Sequence, residues 1–461
     1  MALNKVGRMA LFRENIVKKR TAHLNWKFPP EYYTRSFIAL NTALSKIAAY
    51  RHWNKLDPGE NFPIDQRFAA LPSLTKKDIR DNFPQRLLPA GTDLESAIAS
   101  GEIELVNTSG TTEDGVINIW NQKWWDASEQ ASWKLNSYTA KVMTGEHQEA
   151  ILANPLNVGI ISNNVNLSFE KRRLARFLYL NEKTDPTQWT GSLMQRMVDE
   201  INSFKPKTLE ANPSLLARLS RFISSNNLRV YQPDIITFTY EYNTITHLRQ
   251  INKAFIGPFS SSYGTTETGY VFMQCEAGNF HQNIDFCRVD FQPLKPEQGG
   301  PLLGKILVTP FDNPWNYFIR FDTGDLATLE ASGVCPCGRN SGVILSSLNG
   351  RWANLTLTRD GRLITLSELD QRMSNLEGVE EYKLIQKDEM TYEILLVCSE
   401  EKRIKLIRET KNILKNLYGK DAVVIVILGH DITLERSGKY LISKALFPID
   451  QKIYLDTVFP Q

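Results

Sequence analysis

What most restricts the fold of this chain is a rhythm in its middle, where short apolar runs alternate with amphipathic ones. "PKTLEANPSLLARLSRFI" reads as a strand, then Asn212 as an N-cap with Pro213 at the first helical position, then an apolar stripe of Leu215, Leu216, Leu219 and Ile223. "PDIITFTYE" predicts a second buried strand, and "NTITHLRQINKAF" predicts the helix that returns the chain to "FSSSYGTTETG". Repeated strand and helix units require helices packed on a mainly parallel sheet, so the fold class is α/β. After Gly350 the rhythm changes. "WANLTL", the Asp360-Gly361 turn and "RLIT" predict a hairpin. Ser367 then caps a helix that stops at Gly378, and "EYKLIQ" and "TYEILLVC" predict two strands. A long helix follows, with Ile404, Ile407, Leu414 and Leu417 on one face and Gly419 as its stop, and "AVVIVIL" closes the unit. This β-α-β-β-α-β order is that of a small ferredoxin-like α+β module. Two domains are therefore expected, 1–349 and 350–461, meeting at Asn349 to Arg351.

A length of 461 residues suits a large domain plus a smaller one. The formal charge of +3, from 54 basic and 51 acidic residues, is too small and too mixed for nucleic acid or a membrane surface as main partner. A small-molecule substrate is expected instead. No apolar run approaches the roughly 18 residues of a membrane span. The basic start (Lys5, Arg8, Arg13, Lys18, Lys19 and Arg20 against Glu14) lacks a marked cleavage site and reads as a solvated amphipathic helix rather than a presequence. Five cysteines in a long chain fit a reducing compartment, and a cytoplasmic protein is expected.

Five separated stretches carry chemistry. "NTSGTTEDG" (Asn107 to Gly115) lies between "EIELVN" and "VINIWN", which can pair as a hairpin. The hydroxyls of Ser109, Thr111 and Thr112 and the N–H groups around Gly110 are the donors that phosphate oxygens need. Serine- and threonine-rich turns are common, so alone this loop is better read as a solvated turn. "SSYGTTETG" adds a second glycine-threonine turn, with Tyr263 as a flat ring and Glu267 as a hard oxygen ligand for Mg²⁺. "IRFDTGDL" puts Asp325 in a tight turn at the end of an apolar strand, where a carboxylate can accept from both ribose hydroxyls. "ERSGKYLISK" offers Lys439 just after a glycine, a cation able to reach a phosphoryl or acyl oxygen. Arg351, in "NGR", falls at the domain junction.

In this order and spacing the segments resemble the adenylate-forming superfamily of acyl-CoA synthetases, nonribosomal adenylation domains and luciferases, over about residues 70 to 445. "YGTTE", the "FDTGD" stretch and "LPSLTKKDIRDNFP" (Leu71 to Pro84) are most similar to the phenylacetate-CoA ligase branch. The resemblance implies a large adenylate-forming domain and a small mobile C-terminal one. It implies Thr108, Ser109, Gly110, Thr111 and Thr112 as the phosphate loop and Tyr263 beside the adenine. Gly264, Thr265 and Glu241 would join the nucleotide site. Glu267 would bind Mg²⁺, Asp325 the ribose and Arg351 the ribose or phosphate side. Lys439, with Thr266 and Glu267, would act in catalysis. The implied activity is ATP-dependent activation of a carboxylic acid, aryl or arylacetic, with transfer to CoA. The same adenylate can instead pass to an amine or to a carrier-protein thiol, and a non-catalytic nucleotide-binding relative is the third reading. A homodimer is left open.

Two departures stand out. After Thr112 come Glu113 and Asp114, and a unit charge about 5 Å from a phosphate oxygen would cost about 3 kcal/mol at an effective dielectric of about 20. Asp114-Gly115 is a good hairpin turn, so the carboxylates are expected to face outward. At the hinge, Trp352-Ala353-Asn354 follows "GR", a position that needs no single residue type. "GVCPCGR" also sets Cys335 and Cys337 on a tight turn, and "CEAGNFH" sets Cys275 six residues before His281. Three thiolates and an imidazole can complete a structural Zn²⁺ site, or the cysteines can simply be buried. Cys287 and Cys398 are expected in the core. No G-x-S-x-G, G-x-x-x-x-G-K-[ST] or G-x-G-x-x-G motif is present, and the six histidines are scattered.

Overall fold

The computed structural model describes residues 26–107, 115–143, 147–162, 166–435 and 438–456. A hairpin of β1 (Glu104–Asn107) and β2 (Ile117–Trp120) stands apart, pairing as its two sequences suggest. The next strands are β3 (Glu149–Leu152), β4 (Arg173–Leu174), β5 (Phe177–Tyr179), β6 (Thr208–Ala211), β7 (Ile235–Phe238) and β8 (Phe259–Thr265). Then come β9 (Gly269–Gln274), β10 (Phe280–Gln282), β11 (Cys287–Pro293), β12 (Leu303–Pro310), β13 (Phe321–Leu329) and β14 (Ile344–Arg351). From β3 onward these strands make a twelve-stranded sheet in the order β11-β12-β13-β14-β10-β9-β8-β7-β6-β3-β5-β4.

The sheet has two characters, and they meet on β8. From β5 through β3, β6 and β7 to β8 neighbouring strands are parallel. From β8 through β9 to β11 every pairing is antiparallel. The parallel strands β3, β6 and β7 are buried at every position because helices cover them. Met197 and Ile201 of the helix Gly191–Phe204, and Leu216, Leu219 and Ile223 of the helix Pro213–Ser225, share one core with Leu209 and Phe238. Truncating a residue such as Leu219 to alanine there would cost about 2–5 kcal/mol. Asn212 stands at the N-cap with Pro213 after it, but its side-chain oxygen accepts from the Asn154 N–H, tying the helix to the end of β3 instead of capping its first turn.

Beyond Arg351 an α+β unit forms, with an order of its own. β15 (Thr356–Leu357) and β16 (Leu363–Ile364) are the expected hairpin, yet it stays a separate two-stranded piece. The four-stranded sheet runs β19-β18-β17-β20, from β17 (Val379–Gln386), β18 (Thr391–Cys398), β19 (Val423–Gly429) and β20 (Ser443–Ala445). Strand β20 lies parallel to β17 and fills the edge that a ferredoxin-like order would give to the hairpin. Thr365, not Ser367, caps the helix Leu366–Met373, because its hydroxyl is the one three residues before the Glu368 N–H. The buried face of the helix Arg403–Tyr418 is Leu406, Thr410, Leu414 and Leu417, while Ile404 is 88% exposed. Cys287 is in the core as expected, and Cys398 is half-buried against the core of the small unit.

Candidate active site

The strand β8 changes partners at its middle, so its second half and the turn after it stand at the open end of the parallel strands. The crevice outside the carboxyl ends of the parallel strands is where α/β sheets bind ligands. The turn needs its glycines. A Cβ on Gly264 would meet the Gly269 carbonyl oxygen at 2.4 Å, and Gly269 adopts a φ of 70° with Trp124 and Ser128 against it. The hairpin therefore closes tightly, with Thr265 and Thr268 hydroxyls 2.9 Å apart.

A cavity of about 1390 Å³ opens in front of this turn. It exceeds the roughly 300–1,000 Å³ of an ordinary small-molecule pocket, which leaves room for a nucleotide together with a second reactant. Tyr263, Gly264, Thr265, Thr266 and Glu267 line it, and so do Glu241, Asp325, Arg351 and Lys439. All the candidate residues between Glu241 and Lys439 outside the cysteine–histidine group thus reach one space. The proposed phosphate loop Thr108, Ser109, Gly110, Thr111 and Thr112, with Glu113 and Asp114, lies outside the described residues; Asn107, where β1 ends, is on the cavity wall.

Asp325 is not in a turn at a strand end. It sits within β13, at a bulge opposite Lys305 to Leu307, where Gly324 has a φ of 75°. The bulge re-aims the carboxylate toward β14, whose Arg351 is its register partner. Asp325 accepts from the Tyr263 hydroxyl at 2.9 Å and from Arg351 Nε at 3.2 Å. Burial, then the Asp325 charge, pushes the Tyr263 phenol well above its usual range, so it stays a donor. Tyr263 is thus a hydrogen-bonded part of the cavity wall as well as a flat ring.

Lys439 follows Gly438, whose φ of 73° and contact with Asn154 bring the chain close to the large sheet. Burial first, and then Arg351, pushes its ammonium down to about 8, while Asp325 and Glu241 oppose the fall. Glu241 accepts from the Ser214 hydroxyl at 2.6 Å and from the Tyr440 N–H at 2.9 Å, which holds the segment that carries Lys439 against the large unit. Glu267 is 3% exposed, and its Oε1 has no hydrogen bond among the described residues but lies 3.4 Å from Lys76 Nζ. Lys76 was not singled out from sequence. Its signal was there in the Thr75-Lys76-Lys77-Asp78 capping box, which starts the helix Lys76–Asn82 at the cavity edge.

Cys275, His281, Cys335 and Cys337 form a second centre and do not line the cavity. The Cys275 and Cys335 sulfurs are 3.6 Å apart, Cys337 Sγ is 3.3 Å from His281 Nε2, and all four donors lie within 4.8 Å of one another.

No family model matches the chain. Among curated proteins it is 23% identical over 234 residues to Protein CapK of Staphylococcus aureus, and it spans about half the length of that relative (50% of this chain, 50% of the relative). Among solved structures it is similar to 2-hydroxyisobutyryl-CoA ligase in the postadenylation state with 2-HIB-AMP, at a TM-score of 0.64 and 15% identity over 92% of this chain and 89% of that one. The chain has the fold of this CoA ligase. It also matches the anthranilate CoA ligase AuaEII bound to anthranoyl-AMP, at a TM-score of 0.50 and 13% identity over 95% of each chain.

Proposed function

We propose that the protein activates a carboxylic acid with ATP as an acyl-adenylate and then transfers the acyl group to CoA. The observation that carries this reading is the convergence of Glu267, Asp325, Arg351 and Lys439 on one cavity large enough for two reactants. Asp325 would accept from the ribose hydroxyls, its orientation held by Tyr263 and Arg351. Lys439 would offer its ammonium to the α-phosphate oxygens as the substrate carboxylate attacks phosphorus and pyrophosphate leaves. Thr266 and the N–H groups of its turn would steady the same phosphate, and Thr108 to Thr112 would hold the leaving pyrophosphate. The CoA sulfur would then attack the acyl carbon, with AMP departing.

Glu267 fits a Mg²⁺ ligand, being a buried carboxylate with an oxygen that makes no hydrogen bond among the described residues and faces only the Lys76 ammonium at 3.4 Å among their ion pairs. Bound there, Mg²⁺ would neutralise phosphate charge, and Lys76 would share that task or turn aside. The cysteine–histidine set fits structural zinc. With a Zn–S distance of about 2.3 Å a tetrahedron has sulfur–sulfur edges of about 3.8 Å, close to the 3.6 Å between Cys275 and Cys335. Trp125 and Tyr270, with ring centroids 5.0 Å apart, give the cavity flat walls that suit an aryl acid. Residues 350–461 would move as a unit about Arg351 between the two steps. Five cysteines, none in a disulfide, suit a cytoplasmic setting, and no helix among the described residues is long and apolar enough to cross a membrane. Mass analysis of products made with ATP and an acid, in parallel with CoA, an amine or a carrier protein as acceptor, tests the reading: an acyl-CoA is expected, whereas an amide or an acylated carrier protein formed in preference would replace CoA as acceptor.

A further inference from the structure

A part of the cavity that the adenylation residues do not use lies between the face of β3 and β6 and the helix Gln122–Trp133. Three glutamates face it: Glu149 on β3, Glu210 on β6 and Glu129 on the helix. Glu149 is 2% exposed and Glu210 8%. Among the described residues no lysine or arginine makes an ion pair with Glu129 or Glu210. Their donors are phenols, Tyr270 at 2.7 Å from Glu129 and Tyr240 on Glu210. His147 reaches Glu149 at 3.3 Å. Arg176 also lines the cavity; it is exposed, its guanidinium lies over the Phe177 ring, and its charge partly offsets the rise of the Glu129 carboxyl.

Three features mark this wall as built for a ligand. Paired residues of a parallel sheet project to the same side, and Glu149 is in register with Thr208 and Glu210 with Thr237. Both threonines are at least nine-tenths buried beneath this wall and do not themselves line the cavity; among the described residues their hydroxyls have no hydrogen-bond partner, although buried hydroxyls are normally satisfied. Tyr240 is held at a φ of 71°, a costly conformation for a bulky residue and one that accumulates at binding sites. Finally, burial and mutual repulsion hold the Glu129 carboxyl up at about 7 and that of Glu210 at about 8. Like charges gathered in a buried wall are unfavourable until a cation enters between them.

Building on the acid-activation reading, we propose that the acyl part of the substrate acid carries a protonated amine, which binds among Glu129, Glu149 and Glu210. A bare metal ion does not suit the place. Among the described residues the group of histidine, cysteine and acidic side chains whose donors all lie within 4.8 Å of one another is the cysteine–histidine set; the three glutamates stand farther apart than that. The nearby Trp125 and Tyr270 rings add the flat contacts that an ammonium group favours.

The test is acid-dependent ATP–pyrophosphate exchange with matched pairs: para-(aminomethyl)benzoate against para-methylbenzoate, and phenylalanine against phenylpropanoate. We expect the amine member of at least one pair to have a kcat/KM higher by about 100-fold or more, since a site built for a polar group rejects the analogue lacking it. Glu210→Gln should shrink that ratio by about tenfold or more. The ratio is taken within one preparation, so a misfolded fraction cancels. Equal or better exchange with the neutral members overturns the amine and leaves acid activation standing. A ratio unmoved by both Glu210→Gln and Glu149→Gln overturns the glutamates as its source. No exchange with any of the four acids overturns the adenylation reading, and this inference with it.

Discussion

Lys439 is the residue on which the proposed chemistry turns, and its environment gives it a pH signature. Its ammonium is pushed down to about 8 by burial and by Arg351, so it is charged below that pH and loses its proton as the pH rises through it. The adenylation rate should therefore fall above about pH 8, and Lys439→Arg, which stays charged, should move that limb upward if it retains activity. Lys439→Ala should lower exchange by about 100-fold or more. Asp325→Asn should act differently, raising the KM for ATP by about tenfold with a smaller change in kcat, because it weakens a hydrogen bond to the ribose. Steady-state kinetics at varied ATP separates the two. These residues were legible in the sequence because each sits beside a glycine in a short stretch whose local geometry aims it. Glu149, Glu210 and Lys76 were not legible. Each is a single charged side chain whose neighbours come from other strands or helices, and only the pairing of β3, β6 and β7 brings the first two together.

At the scale of the element, the hairpin of β8 and β9 carries the site. A methyl group on Gly264 would collide with the Gly269 carbonyl, so Gly264→Ala should cost about 1–3 kcal/mol in urea unfolding and reduce exchange as well. The cysteine–histidine centre ties the end of β9 to β10 and to the turn before β14. We expect one zinc per chain by metal analysis, with Cys335→Ser losing the metal and lowering the Tm; a metal-free protein of unchanged Tm would leave the four side chains as packing alone. The strands and helices of the parallel half were readable from periodicity, since β6 and its following helix obey local rules. The small unit was less so. Its hairpin and β20 compete for one sheet edge, a choice made by long-range pairing, and the long helix turns Ile404 outward because the stripe from Leu406 packs better on the sheet.

Across the whole molecule the small unit is seated on the large one through polar contacts. Arg221 bonds Glu381 at 2.6 Å, Arg249 bonds the Leu376 carbonyl at 3.1 Å, and the Ile245 N–H donates to Asp370 at 2.9 Å. This seating brings Lys439 to the cavity, where the proposed adenylation step needs it. Arg221→Ala should loosen it, slowing exchange by a few-fold while leaving the fold intact by circular dichroism. The convergence of distant segments on one ATP-sized space is tested most directly by pyrophosphate exchange across a panel of carboxylic acids, run on the wild-type chain and on Lys439→Ala. We expect exchange that depends on the added acid and is lost in the variant. Exchange that proceeds without acid, or at an undiminished rate in Lys439→Ala, would contradict the role given to this cavity.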